Sequence, residues 1–176
     1  WSLAFSPDGG WLASGGPDSH IRFWEVPTGK QVRVIEAQHR TSSLAWHPDG
    51  GELAVGGDKT LTVWDLAEGR PRLVCTDHAD FVRSVAYSPD GKTLAVGTGG
   101  LGGGDHVVKL WDAQTGAEIE TQDDHPKEVR SVAFSSDGRW LATGGVEGSV
   151  AVRDLRKGEV HHWLHGHEDG VMAVAF

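Results

Sequence analysis

A sequence unit recurs along this chain, and the repetition constrains the fold more than any other feature. Each unit opens with a short apolar run that ends in an aromatic residue. These aromatics are separated by 41, 41, 47 and 42 residues, and they are Phe5, Trp46, Tyr87, Phe134 and Phe176. A turn follows at Pro7-Asp8-Gly9, Pro48-Asp49-Gly50, Pro89-Asp90-Gly91 and Ser136-Asp137-Gly138. A single unit of this length cannot bury its own apolar face, so successive units are expected to stack into one continuous core.

The third unit shows how each repeat divides into four short strands. Residues 84–87 are apolar or small at nearly every position, as expected of a strand that is covered on both faces. Pro89-Asp90-Gly91 predicts a tight turn, because proline presets φ and glycine accepts positive φ. Further strands are predicted at 93–97, 106–111 and 117–121. No segment has a helical period, so we predict an all-β fold.

Two more markers recur in register with the first two. A Trp-acid pair closes the units, at Trp24-Glu25, Trp64-Asp65 and Trp111-Asp112, with Arg153-Asp154 in the fourth. A histidine precedes each following unit, at Gln38-His39, Asp77-His78, Asp124-His125 and Gly166-His167. On these residues the chain resembles the WD-repeat family of β-propellers, including its bacterial-type members. The resemblance implies a partial β-propeller of about four four-stranded antiparallel blades, acting as a non-enzymatic scaffold that binds proteins or peptides.

We predict one domain over residues 1–176, with repeats at approximately 1–42, 43–83, 84–130 and 131–172 and the start of a further repeat at 173–176. The chain begins inside one innermost strand, at Trp1, and ends after another, at Phe176. The expectation is therefore that further repeats in the same chain complete a larger ring. The alternative is self-association of the isolated fragment through its end blades, whose apolar faces and unpaired edges invite contact.

The resemblance also implies a hydrogen-bonded set inside each blade. Its members are a His before the first strand, a Ser or Thr on the second, an Asp before the third and a Trp at the end of the third. The hydroxyl accepts from the indole, and the carboxylate fixes the imidazole tautomer. Mapped onto this chain, the set comprises Ser14, Asp18, Trp24, His39, Asp58, Trp64, His78, Asp105, Trp111, His125 and Thr143.

No unit carries the full set. Val55 and Val96 stand where units two and three need a hydroxyl, so we expect their indoles to contact His or a water directly. Glu147 and Arg153 replace the Asp and Trp of unit four, which predicts that blade four is the least tightly bonded. A hydrolase triad is disfavoured, because the hydroxyl is missing from both units that keep His and Asp.

The candidate binding residues lie one position before each innermost strand. In a propeller these positions ring the mouth of the central channel, and they hold Ser42, Arg83, Arg130 and Met172. Arginine grips carboxylates through two parallel hydrogen bonds, and Phe81 adds an aromatic beside Arg83. We predict that a protein or an acidic peptide docks on this face. The alternatives are side chains that are merely solvated, a propeller enzyme (a lyase or hydrolase) at the channel mouth, and a purely architectural segment of a multidomain protein.

Composition narrows the partners further. The net charge of −9 argues against nucleic acid and against an acidic membrane surface, which require clustered Lys and Arg. No apolar run has the length of a membrane span. The single cysteine, Cys75, cannot form an internal disulfide, which favours a reducing compartment, and we expect a cytoplasmic protein.

Neither a cofactor nor a metal is expected. The cluster of His161, His162, His165 and His167 is interpreted as a surface strand with incidental histidines. The glycine-rich insertion at 97–104 has the spacing G-x-G-x-x-G, but a strand follows it, whereas phosphate binding needs a helix N-terminus. The insertion is interpreted as a tolerated loop or as a lid over the binding face.

Overall fold

The computed structural model describes residues 1–76, 78–100 and 104–176. Within them the chain forms four antiparallel sheets of four strands each, and no helix. Every sheet uses four consecutive strands in chain order, so each is one blade. The first strands of successive blades contact each other. The predicted all-β, partial-propeller fold is confirmed.

The strands follow the repeats. Blade one contains β1 (Ser2–Phe5), β2 (Trp11–Gly15), β3 (His20–Glu25) and β4 (Lys30–Glu36). Blade two contains β5 (Thr41–Trp46), β6 (Glu52–Gly57), β7 (Leu61–Asp65) and β8 (Arg70–Cys75). Blade three contains β9 (Val82–Tyr87), β10 (Thr93–Thr98), β11 (Val108–Asp112) and β12 (Glu118–Gln122). Blade four contains β13 (Val129–Phe134), β14 (Trp140–Gly145), β15 (Ser149–Asp154) and β16 (Glu159–His165).

The segment 171–176 differs from the innermost strand predicted there. It pairs with no strand among the described residues, so it is not itself a strand. It still packs against blade four, because the Val171 N–H donates to Gly145 O at 3.0 Å and the Val174 N–H donates to Ser131 Oγ at 3.0 Å.

The core lies between blades. Leu53, Leu94 and Leu141, at equivalent points of β6, β10 and β14, have no exposed surface. Their strands are sandwiched between neighbouring blades, which explains why they read as continuous apolar runs instead of alternating ones. The glycines near the ends of these strands allow the close approach. A Cβ on Gly56, for example, would lie 2.5 Å from Val82 Cγ1 of blade three.

A serine hydroxyl ties each blade to the next. The first strand of a blade is an edge of its sheet, so its outward N–H groups have no ladder partner in that sheet. A serine on the preceding first strand accepts one of them. Three bonds join blades, namely Leu44 N to Ser2 Oγ at 3.0 Å, Val85 N to Ser43 Oγ at 3.0 Å and Val132 N to Ser84 Oγ at 3.1 Å. A fourth joins segment 171–176 to blade four in the same way, from Val174 N to Ser131 Oγ at 3.0 Å.

An aspartate organises the tight turn after each first strand. In blade one, Asp8 Oδ1 accepts from the Ser6 hydroxyl at 2.5 Å and from the Gly10 N–H at 2.9 Å. These bonds favour the ionised carboxylate, and they hold the pKa of Asp8 below its ordinary value. A serine hydroxyl and a backbone N–H lower the pKa in the same way at Asp90 and Asp137, whereas at Asp49 the Gly51 N–H and the His47 ring lower it.

We expect Ser43→Ala to destabilise the chain, because it leaves the buried Val85 N–H without an acceptor. The free energy of unfolding should fall by about 1–3 kcal/mol, the cost of an unsatisfied buried donor. Urea unfolding followed by circular dichroism measures this. Ser136→Ala, at an exposed turn position, is the control and should change stability by less than about 0.5 kcal/mol. Equal effects of the two changes would show that the tie contributes nothing.

The turn aspartates also predict a dependence on pH. Because their folded pKa values are lowered, they add stability above the ordinary aspartate pKa of 3.8, and this is lost as pH falls through the lowered values. A variant with all four changed to Asn should lose less stability between about pH 6 and pH 3 than the parent chain. Urea midpoints at both pH values test this, and an equal loss in the two proteins would contradict it.

Candidate functional site

The predicted binding residues lie at β-bulges. The register of β5, β9 and β13 shifts around Ser42, Arg83 and Arg130, so each is the extra residue of its strand. A bulge leaves its extra residue out of the ladder and redirects the side chain. Met172 holds the equivalent position after blade four and is 66% exposed.

Arg83 and Arg130 share one carboxylate. The Glu128 Oε2 atom lies 2.7 Å from Arg130 Nη2 and 3.7 Å from Arg83 Nε. The Glu128 side chain is 9% exposed, against 25% for Arg83 and 29% for Arg130. The two guanidinium groups therefore do not point freely into solvent. Their positive charge is partly used inside the protein, and a bound anion has to compete with Glu128.

The sequence analysis did not identify Glu128 as a site residue, although the alignment of the repeats indicates its position. Aligning Phe81-Val82-Arg83 with Glu128-Val129-Arg130 puts Glu128 at the position of Phe81 on the neighbouring blade. The middle residues Val82 and Val129 are fully buried, so the two flanking side chains are left at the mouth. A charge placed there meets the arginine of the adjacent blade.

Phe81 completes this group. The Arg83 guanidinium lies over the Phe81 ring, 5.1 Å from its centroid, and Arg83 Nε donates to Gly99 O at 2.7 Å. Beside it, Asp80 Oδ1 accepts from the Phe81 N–H at 2.7 Å. Asp80 Oδ2 is buried and has no hydrogen-bond partner in the part of the chain that the structure describes.

Both ends of the glycine-rich insertion pack on the same group. The Gly99 N–H donates to Phe81 O at 3.0 Å, and a Cβ on Gly99 would lie 2.5 Å from Glu128 Cβ. A Cβ on Gly104 would lie 2.9 Å from Asp80 Cβ, so only glycine fits without displacing these neighbours. Residues 101–103 lie outside the described residues, and with them Gly102 of the predicted G-x-G-x-x-G spacing. The lid hypothesis falls largely on those residues and stays a hypothesis.

The structure therefore brings together Arg83, Arg130 and Phe81, and it adds Glu128 and Asp80. Ser42 stands apart from them. Its hydroxyl is within hydrogen-bond reach of Gly56 O at 3.0 Å and also bonds Val82 O of blade three, so it serves the contact between blades.

The predicted hydrogen-bonded set is uneven from blade to blade. In blade one the Trp24 indole donates to Ser14 Oγ at 2.8 Å, while Asp18 pairs with Arg22 at 2.6 Å. In blade two His39 Nε2 lies 3.4 Å from the Thr62 hydroxyl. Thr62 is on the third strand, where the family pattern does not place a hydroxyl. The structure differs from expectation at Asp58 too, which pairs with Arg40 at 3.3 Å and not with His39.

In blade three, where Val96 replaces the hydroxyl residue, the histidine and tryptophan rings contact each other directly. The His78 and Trp111 rings lie 5.2 Å apart between centroids. The Trp111 indole N–H is buried and has no acceptor among the described residues, because Val96 cannot supply one. Asp105 is exposed, and only its backbone oxygen is used, accepting from the Thr98 hydroxyl at 2.9 Å.

Blade four corrects the ranking made from the sequence. His125 is bonded at both ring nitrogens, to Glu147 Oε1 at 2.6 Å and to Thr143 Oγ1 at 2.7 Å. Although burial opposes it, the bonds from Ser149 and His125 hold the pKa of Glu147 below its ordinary value. Arg153 replaces the Trp by pairing with Asp124 across the sheet. The longer Glu147 thus takes the role of the Asp, and blade four is not the least bonded.

The described residues contain no group of three or more His, Cys, Asp or Glu side chains arranged to hold a metal ion. They also contain no helix long and apolar enough to cross a membrane.

Comparisons with known proteins agree with the repeat analysis. The family described as "WD domain, G-beta repeat" matches residues 1–25, 29–65, 69–112 and 116–154. A 31-residue stretch is 58% identical to ribosome biogenesis protein erb1 of Botryotinia fuckeliana and 55% identical to ERB1 of Debaryomyces hansenii. These matches cover 18% of the chain and only 4% of the length of each relative.

We expect Val96→Thr to stabilise blade three, because its hydroxyl can accept from Trp111 as Ser14 does from Trp24. The free energy of unfolding should rise by about 0.5–1.5 kcal/mol. The sequence predicts the same gain for Val55→Thr in blade two. The control is a double-mutant cycle with Trp111→Phe, which lacks the indole N–H. A gain that persists with Trp111→Phe would mean that the hydroxyl acts elsewhere.

Proposed function

The chain belongs to the WD-repeat family, whose members typically act as non-catalytic scaffolds for protein–protein interactions, and we propose that this one binds an acidic segment of a partner protein at the channel mouth. The observation that carries the proposal is the pair of arginines from neighbouring blades, Arg83 and Arg130, which converge on a single carboxylate. We call these two residues with Glu128 and Phe81 the arginine clamp.

Glu128 occupies the clamp as an internal ligand. Two guanidinium groups around one carboxylate retain donors for a second anion, because each carries five N–H groups. Both arginine side chains are about a quarter exposed, so a partner carboxylate can reach them. Phe81 supplies apolar contact next to this charge.

This arrangement favours a ligand with more than one acidic group. A single carboxylate has to pay for displacing Glu128, whereas two neighbouring carboxylates hold both arginines at once. The short likeness to the ribosome biogenesis proteins fits a scaffold that works in assemblies. A cytoplasmic location stays a prediction.

A displayed random-peptide library, selected on the 176-residue chain, tests the proposal. We expect the enriched peptides to carry paired Asp or Glu. Arg83→Gln with Arg130→Gln should weaken their binding at least tenfold and flatten its dependence on salt. Glu128→Gln should strengthen binding several-fold, because the internal competitor loses its charge. Titration by fluorescence anisotropy measures each affinity.

The control is Arg70→Gln with Arg156→Gln, which removes the same charge from exposed positions elsewhere. It should leave binding unchanged. Enriched peptides that tolerate the clamp substitutions would move the site to another surface. A selection without any enriched peptide would contradict the proposal and favour an architectural role.

A further inference from the structure

The outer strand of every blade carries a bulge at the same place. In each blade the register between the third strand and the outer strand shifts by one residue. The outer-strand residues left without a partner are Val32, Arg72, Ile119 and His161. The repeat alignment pairs each of them with one position on the second strand of its own blade. Those positions hold, in order, Trp11, Glu52, Thr93 and Trp140. In blade two this pair is a bidentate ion pair, with Arg72 to Glu52 distances of 2.6 and 2.8 Å. In blade four it is a Trp140–His161 ring contact at 5.1 Å.

In blades one, two and three these pairs line the spaces between neighbouring blades. Between blades two and three, Arg72 spans the gap, donating to Glu52 and to the backbone oxygens of Ala113 and Gln114. Between blades one and two, Trp11 and Val32 form no ion pair, and the neighbouring Arg33 donates to the backbone oxygen of Leu66 and lies over the Phe23 ring. A groove of about 380 Å³ lies there, lined on its outer part by Trp11, Phe23, Val32, Arg33, Trp46, Gly50 and Leu66.

The groove continues towards the turns. Its second part, about 440 Å³, is again lined by Trp11 and Trp46, together with Pro7, Asp8, Pro48 and Asp49. We call the two parts together the tryptophan groove. Both of its walls belong to described blades.

The two tryptophans of the groove differ in exposure and in whether their indole N–H is hydrogen-bonded. Trp46 is fixed, because its indole N–H donates to Ala4 O at 2.9 Å and Phe23 packs edge-on against it at 5.9 Å. Trp11 is 37% exposed, and its indole N–H makes no hydrogen bond within the described part of the chain. The groove therefore presents apolar rings and one unused donor.

The turn end of the groove is acidic. In Asp8 the turn bonds engage Oδ1, from Ser6 and Gly10, and in Asp49 they also engage Oδ1, from Gly51. The remaining carboxylate oxygen of each is free to accept from a ligand. Both side chains carry a full negative charge at neutral pH, since the pKa of each is lowered.

We propose that the tryptophan groove is a second binding surface, which takes a proline-containing extended segment of a partner protein with a lysine or arginine beside the proline. Proline rings pack on indole faces, and a polyproline II segment loses little conformational entropy on binding. Its carbonyls have no internal partners, so one can accept from Trp11 Nε1. The basic side chain meets Asp8 and Asp49. The ligand proposed for this surface is basic, whereas the ligand proposed for the arginine clamp is acidic.

The test uses three fluorescein-labelled peptides and the 176-residue chain. The first has five prolines followed by two lysines; the second replaces the lysines with glutamates; the third replaces the prolines with alternating leucine and serine. We expect the first to bind, the second at least tenfold more weakly, and the third at least fivefold more weakly. No binding of the first peptide at about 1 mM, or equal binding of the first and third, overturns the proposal.

Variants locate the site. Trp11→Ala should abolish binding of the first peptide, and Trp11→Phe should weaken it by loss of the donor. Asp8→Asn with Asp49→Asn should remove the preference for lysine over glutamate. Trp140→Ala, the equivalent residue of blade four, is the control and should bind normally. Binding that survives Trp11→Ala, or that is lost equally in Trp140→Ala, overturns the assignment.

A transplant keeps the test independent of folding defects. Trp11→Glu with Val32→Arg copies the Glu52–Arg72 pair of blade two into blade one, which removes the indole wall and its donor and puts an ion pair in their place. We expect this variant to unfold at the same urea concentration as the parent and to lose peptide binding. Retained binding in it would overturn the proposal.

Discussion

The outward N–H groups of each first strand must be satisfied by the preceding blade, and much of this structure follows from that requirement. The hydroxyls of Ser43 and its equivalents accept the outward N–H groups, and this works only if adjacent first strands lie close together. Close approach in turn requires glycine at Gly56 and its counterparts, where any side chain would meet the neighbouring blade. The apolar second strands are buried as a consequence, and polar variation is confined to the ends and outer edges of the blades.

The arginine clamp and the tryptophan groove lie at different places where the sequence varies between blades. At the channel mouth, bulges on the first strands place Arg83 and Arg130 around Glu128. At the outer side, bulges on the last strands help to decide whether the space between blades is lined by an ion pair, as at Arg72, or by aromatic rings, as beside Trp11. A bulge costs one ladder position and gives one freely directed side chain. Function is therefore expected at these positions and not along the strands.

Much of the fold could be predicted from the sequence, because four markers recur in register along the chain and together resemble the WD-repeat family of β-propellers. The predicted strand at 106–111 begins two residues before the observed Val108–Asp112, since strand ends depend on partners that local patterns do not show. The candidate site was predicted only in part. Arg83 and Arg130 stand out by position, but their pairing with Glu128 depends on which side chain of the next blade faces them. Glu147 shows the same limit, because its extra methylene lets it reach His125 where an aspartate was expected.

The serine ties have a consequence for how such a chain is assembled from copies. In each tie the acceptor is a side chain of one blade, but the donor is a backbone N–H of the next, which every residue except proline provides. A blade needs only its own serine and its own glycine to accept any similar neighbour. Duplicating or exchanging a whole repeat thus creates a working junction without a matching substitution on the other side. Blades that differ as much in sequence as the second and the fourth can therefore occur in one chain, because the hydrogen bond at the junction uses a backbone donor.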